Sequence, residues 1–130
     1  MVFSKIFASQ EEQVPVPWKR LTGPADLQEV EKQSFERPVL VFKHSTRCSI
    51  SSMSLDRFER SYRSEAPFDV YFLDLIAHRD VSNLIAEKFA IRHESPQVIL
   101  IKDGKPFYDT SHMAINYQEL AMEANKNIGN

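Results

Sequence analysis

The sequence is short of several things, and each shortage excludes a class of chemistry. There is one cysteine in 130 residues. That excludes an intrachain disulfide, a C-x-x-C redox couple and a multi-thiolate zinc site. There are three glycines, Gly23, Gly104 and Gly129. Neither a G-x-G-x-x-G dinucleotide loop nor a Walker phosphate loop can be written with them. An excess of one charge is also lacking, since 16 Lys and Arg against 18 Asp and Glu leave a formal net charge of −2. Such a balance argues against a nucleic-acid binder or a polybasic membrane-surface protein. No apolar run approaches the ~18 residues of a membrane span, and no signal-peptide h-region is visible. A lone thiol without an export signal leads us to expect a reducing cytoplasm.

What is present fits one small α/β domain. The length falls in the ~100–150-residue range of single domains. The hydrophobic share of 42% and charged share of 26% are ordinary for a globular chain. Residues 1–17 read as an N-terminal extension, amphipathic or frayed. Val2, Phe3, Ile6 and Phe7 fall at helical spacing, and Val14-Pro15-Val16-Pro17 reads as extended chain. The folded domain is expected over 18–130.

Within it, Thr22-Gly23-Pro24 resembles a helix start, Leu27, Val30 and Ser34 share a face, and Pro38 ends the helix. Val39-Leu40-Val41-Phe42 is a continuous apolar run, suited to a strand covered on both faces. A second helix runs from about Cys48 to Arg63, with Leu55, Phe58 and Tyr62 on its apolar face. Val70-Tyr71-Phe72-Leu73 is another strand, followed by a third helix capped by Asp80 and marked by Val81, Leu84, Ile85 and Phe89. Val98-Ile99-Leu100-Ile101 precedes Asp103-Gly104, a strong hairpin signal, and Phe107-Tyr108 is the returning strand. Tyr117, Leu120, Ala121, Ala124 and Ile128 outline a last helix. The order α-β-α-β-α-β-β-α predicts a central mixed sheet of about four strands, flanked by helices on both faces.

Cys48 follows an apolar strand and precedes a helix, the place where α/β proteins put their sites. Free N–H groups and the positive end of the helix dipole favour an anion there, and therefore a thiolate. Lys43, His44 and Arg47 precede it, and any of them near the sulfur would act in the same sense. The alternative is a buried, inert thiol. Ser51, three residues on, shares the helix face; its hydroxyl can donate to a thiolate or satisfy local N–H groups, but cannot form a disulfide. Asp74 closes a strand, either as a carboxylate near the site or as a strand-end cap. His44, His78, His93 and His112 lack metal-ligand spacing, so no metal site is expected.

At this point the chain resembles thioredoxin-fold proteins. The element order, a Cys at a helix start, a Ser-Pro before a later strand and an Asp-Gly hairpin all agree. More narrowly, Phe42-Lys43-His44-Ser45-Thr46-Arg47-Cys48-Ser49-Ile50-Ser51 is similar to the thiol motif of the YtxJ-type monothiol bacilliredoxins, a general stress protein family. That family typically reads K-H-S-x-x-C-P-I-S, and this chain departs from it at Ser49. Ser95-Pro96-Gln97-Val98 matches its cis-Pro segment.

The resemblance implies a thioredoxin-like α/β domain and a monothiol oxidoreductase that removes a low-molecular-weight thiol, bacillithiol by family, from S-thiolated client proteins. It makes Cys48 the nucleophile and puts Ser51 in place of a resolving cysteine. It makes Pro96 a cis-proline whose neighbours Ser95 and Gln97 hold the substrate chain, with His44 and Arg47 beside it. It implies no tightly bound cofactor, with bacillithiol or a similar small thiol as co-substrate. Two other roles compete. One is an iron–sulfur carrier of the monothiol glutaredoxin kind, whose Cys-Gly-Phe-Ser is not matched at Ser49 and Ile50. The other is a redox-inert interaction module.

Overall fold

Three apolar runs become the middle of the sheet. In this computed structural model, which describes residues 12–128, they form β2 (Val39–His44), β3 (Asp69–Asp74) and β4 (Gln97–Lys102). Two further strands complete it, β1 (Lys19–Arg20) and β5 (Lys105–Ser111). The order is β1-β3-β2-β4-β5. β1, β3 and β2 run parallel, while β4 lies antiparallel to β2 and β5 antiparallel to β4. β2 is thus central, and all six of its residues are buried. β1 is the fifth strand that patterning did not announce. Two cationic residues carry no apolar alternation, and they join through the backbone, Lys19 opposite Tyr71 and Arg20 opposite Phe72.

Successive residues of a strand face opposite sides, and this divides the core in two. On one side α1 (Pro24–Gln33) and α3 (Arg79–Phe89) place Leu27, Val30, Val81 and Ile85 on Val39, Val41, Ile99 and Ile101. On the other side α2 (Ser49–Ser61) and α4 (Tyr117–Asn125) place Phe58, Tyr62, Tyr117 and Leu120 on Leu40, Phe42, Val98 and Leu100. Removing one such Phe or Leu from water is worth roughly 1.5–3 kcal/mol. The two layers can therefore tolerate a local penalty, which matters below for Lys43.

The helix and turn signals fall close to their expected places. Asp26 accepts from Thr22 N–H at 2.7 Å and Gly23 N–H at 3.2 Å, closing the start of α1. The Thr22 N–H bond holds this carboxyl below its usual range. At the hairpin, Asp103 (φ 53°) and Gly104 (φ 78°) both take the left-handed conformation that a tight two-residue turn needs. Their N–H groups donate to Ser34 O and Ser34 Oγ, each at 2.8 Å, which pins the hairpin to the end of α1.

Two expectations need correction. The cap of α3 is His78, not Asp80, which lies in the first turn. Asp74 accepts from the N–H groups of Ile76 and Ala77, and His78 N–H donates to Asp74 O, so the turn closes early and the helix starts at Arg79. The last helix ends at Asn125, and Ile128 is 49% exposed rather than part of its apolar face. Of the expected extension 1–17, the segment with Val2, Phe3, Ile6 and Phe7 lies outside the described residues. Residues 12–17 lie on the domain. Gln13 bridges Arg63, Ser64 N–H donates to Glu12 O, and Val14 and Val16 touch the second core layer. Trp18 joins the same layer through the rings of Phe42, Phe58 and Phe72, and donates to Glu59 Oε2 at 2.7 Å.

Candidate active site

Three loops leave the same end of the sheet. Register fixes this, because Lys43 at the end of β2 pairs with Gln97 at the start of β4, and Gln97 pairs with Ser111 at the end of β5. The loops are therefore 45–48 after β2, 92–96 before β4, and the short 3-10 turn His112–Ala114 after β5. α2 fastens the third of them: Ser54 Oγ donates to His112 O at 3.0 Å, and Arg57 donates to Met113 O and Ile115 O.

Cys48 is the N-cap of α2, in extended backbone (φ −117°, ψ 120°), and half-buried. Its C=O accepts the first helical bond, from Ser52 N–H. Its sulfur has no hydrogen-bond partner among the described residues. The thiol thus sits where the unpaired N–H groups of a first turn favour an anion. At the same end of the sheet, Ser95–Pro96 is a cis peptide. Pro96 is buried and its O accepts from His112 N–H at 3.0 Å. Ser95 Oγ is buried without a partner. Ile50, Met53 and Met113 are exposed on α2 and the 3-10 turn.

The comparisons with known proteins agree with this geometry. The family model described as "Monothiol bacilliredoxin BrxC" matches residues 19–120. The chain belongs to the monothiol bacilliredoxin family. Among solved structures, one relative is a thioredoxin-fold protein with a provisional assignment as an oxidoreductase. It is 33% identical, with a TM-score of 0.69, and the match covers 79% of this chain and 89% of that one. Thioredoxin of Schistosoma mansoni matches at 19% identity and a TM-score of 0.65, over 85% and 95% of the two chains. Thioredoxin of Fasciola hepatica matches at 18% and 0.63, over 83% and 97%. The last two show the fold alone. With one cysteine in the chain, this bacilliredoxin is a monothiol thiol–disulfide oxidoreductase.

The structure redistributes the residues that the sequence grouped around the thiol. Lys43 is not beside Cys48. It faces the α1/α3 side of the sheet, where its Nζ donates to Gln97 Oε1 at 2.9 Å and to His93 Nδ1 at 2.7 Å. His44 does face α2, but burial lowers its pKa from 6.5 against the opposing carboxylates of Asp74 and Glu59. A neutral ring offers the thiolate no charge at pH 7. Only Arg47 remains as a nearby cation; its side chain is exposed and has no partner among the described residues.

Ser51 is fully buried. Its Oγ accepts from Ser45 N–H at 3.0 Å and shares a hydrogen bond with His44 Nδ1 at 2.8 Å. It makes no hydrogen bond to Cys48; of the two roles open to it, it takes the one that satisfies a local N–H group, because the loop has claimed the hydroxyl. Gln97 is likewise not open to substrate. Its backbone is flanked by β2 and β5, and its side chain is 1% exposed and bonded within the fold. Asp74 is the strand-end cap.

The sequence missed one group altogether. Lys43, Gln97 and Ser82, buried on the α1/α3 side, form a polar cluster with the exposed His93. Burial pushes Lys43 down to about 8, with Glu94 opposing, and pushes His93 down together with the Lys43 and Arg79 charges. A lysine inside an apolar strand run was the available signal. Among the described residues no cluster of three or more His, Cys, Asp or Glu could hold a metal. A groove of about 610 Å³ lies one α2 length from Cys48, lined by Arg63, Pro67, Tyr117, Ala121 and Met122.

Proposed function

We propose that this bacilliredoxin removes bacillithiol from S-thiolated client proteins in the cytoplasm. The observation that carries the reading is the lone, half-buried Cys48 at the N-cap of α2, at the same end of the sheet as the cis Ser95–Pro96 peptide. The Cys48 thiolate attacks the bacillithiol sulfur of the mixed disulfide. The Cys48–bacillithiol disulfide forms, the old S–S bond breaks, and the client sulfur leaves as a thiolate that takes a proton from solvent. No second cysteine exists to resolve the adduct. An external thiol attacks it instead, and Cys48 leaves as thiolate while that thiol and bacillithiol form a disulfide.

Ser95 offers its backbone to the client strand, and the exposed Arg47 attracts the carboxylates of the small thiol. Ile50, Met53 and Met113 suit the apolar flanks of a client segment. Among the described residues no helix is long and apolar enough to cross a membrane. The test is a rate comparison of one client peptide carrying either bacillithiol or glutathione. A preference of tenfold or more for the bacillithiol form supports the reading. Equal rates, or a preference for glutathione, defeat the choice of small thiol.

A further inference from the structure

The Lys43 cluster takes no part in the exchange chemistry, and its contacts have a common destination. Gln97 Oε1 accepts from Lys43 Nζ at 2.9 Å and also from Glu94 N–H at 3.3 Å. Gln97 Nε2 donates to Arg92 O at 3.1 Å. Lys43 Nζ reaches His93 Nδ1 at 2.7 Å. Every one of these bonds ends on residues 92–94, the three that precede Ser95–Pro96, or links the two side chains that reach them. Both of those side chains are 1% exposed and stand opposite each other in the β2–β4 register. A buried ammonium is costly, and nothing in packing a sheet calls for one. A methionine would fill the same volume.

We propose that Lys43, acting through Gln97 and His93, is a positioning residue that sets the 92–96 loop for client binding. The ammonium supplies two directional bonds at the bottom of the loop, and Gln97 relays one of them to the backbone. The Ser95 peptide groups are then held in place before the client arrives, and less ordering remains to be done on binding. Cys48 is held by a different element on the other face of the sheet, so its intrinsic reactivity does not depend on the clamp. The same strand end thus serves both: His44 faces the thiol loop and Lys43 faces the client loop.

The inference deepens the proposed function and rests on it for the identity of the client. Lys43→Met removes both bonds of the ammonium and is expected to raise KM for an S-bacillithiolated peptide about tenfold, the part of their loss that reaches the loop. The rate at which iodoacetamide alkylates Cys48 should stay at the wild-type value. The variant should be at least as stable as wild type, which a merely structural role does not predict. His93→Ala, at an exposed position, cuts one arm of the clamp without a core change and should raise KM by about threefold. Amide exchange of residues 92–95, measured without substrate, should speed up in both variants. Unchanged exchange in Lys43→Met overturns the inference whatever the client. So does an unchanged KM, or an equal loss in KM and in alkylation rate. If wild type itself fails on the bacillithiolated peptide while exchange responds as expected, the proposed function fails and the clamp stands.

Discussion

Replacing Lys43 by Met should make the protein more stable at neutral pH. The ammonium is 1% exposed, and burial moves it from 10.5 to about 8. A change of that size corresponds to roughly 3 kcal/mol of penalty for the charged form. The penalty is present in full below pH 8, where both folded and unfolded chains are protonated. Between pH 8 and 10.5 the unfolded chain binds one more proton than the folded one, so stability rises with pH by about 1.4 kcal/mol per unit. Methionine removes both the penalty and this slope. It also removes the bonds to Gln97 and His93, but exchanging a buried charged group for an apolar one of similar volume is on balance neutral or stabilising by about 1–4 kcal/mol. Gln97 Oε1 keeps Glu94 N–H as a partner, so no buried acceptor is stranded.

The net expectation is a gain of about 1–2 kcal/mol at pH 7. By pH 9.5 wild type should have recovered about 2 kcal/mol relative to the variant. Urea unfolding of both proteins at the two pH values reads this directly. Taking the difference between proteins cancels the buried tyrosines Tyr62 and Tyr71 and the half-buried Tyr108, whose pKa values desolvation raises. A variant less stable than wild type at pH 7 would refute the reasoning. So would a wild-type stability that stays flat between pH 8 and 9.5 relative to the variant.

Further expectations concern single side chains. Ser51→Ala strands Ser45 N–H and His44 Nδ1, and should cost about 1–3 kcal/mol in urea unfolding. It should leave the Cys48 adduct able to form, because the hydroxyl braces the loop and does not touch the sulfur; loss of the adduct in a folded variant would contradict that. Gly104→Ala puts a Cβ at φ 78° and 3.2 Å from the Phe35 ring. It should cost about 1–2 kcal/mol from backbone conformation. Adding Phe35→Ala should recover only the packing part, and full recovery would show that the backbone is unstrained.

Much of the fold was legible because hydrophobic patterning dominates it. The runs at 39–42, 70–73 and 98–101 are strands because both of their faces are covered, and Asp103-Gly104 is a turn because both residues accept positive φ. β1 was not legible, since a two-residue strand of Lys and Arg pairs through its backbone alone. The thiol was legible from its junction. Its surroundings were not, because sequence proximity gave no side. Lys43 and His44 are neighbours in the chain and lie on opposite faces of the sheet. Strand alternation could have shown this, since Lys43 shares parity with Val39 and Val41, which face α1 and α3. His93 was considered only as a metal ligand and set aside, because its partner is fifty positions away. Gln97 was read as a substrate contact because the motif includes it, yet its side chain turns inward to the loop.

The central claim is that Cys48 alone carries the exchange. Intact-mass spectrometry of the protein mixed with a bacillithiolated client tests it most directly. The account predicts one bacillithiol mass on Cys48, appearing in step with reduction of the client, and neither change with Cys48→Ser. Client reduced without an adduct on Cys48, or reduced equally well by Cys48→Ser, would contradict it.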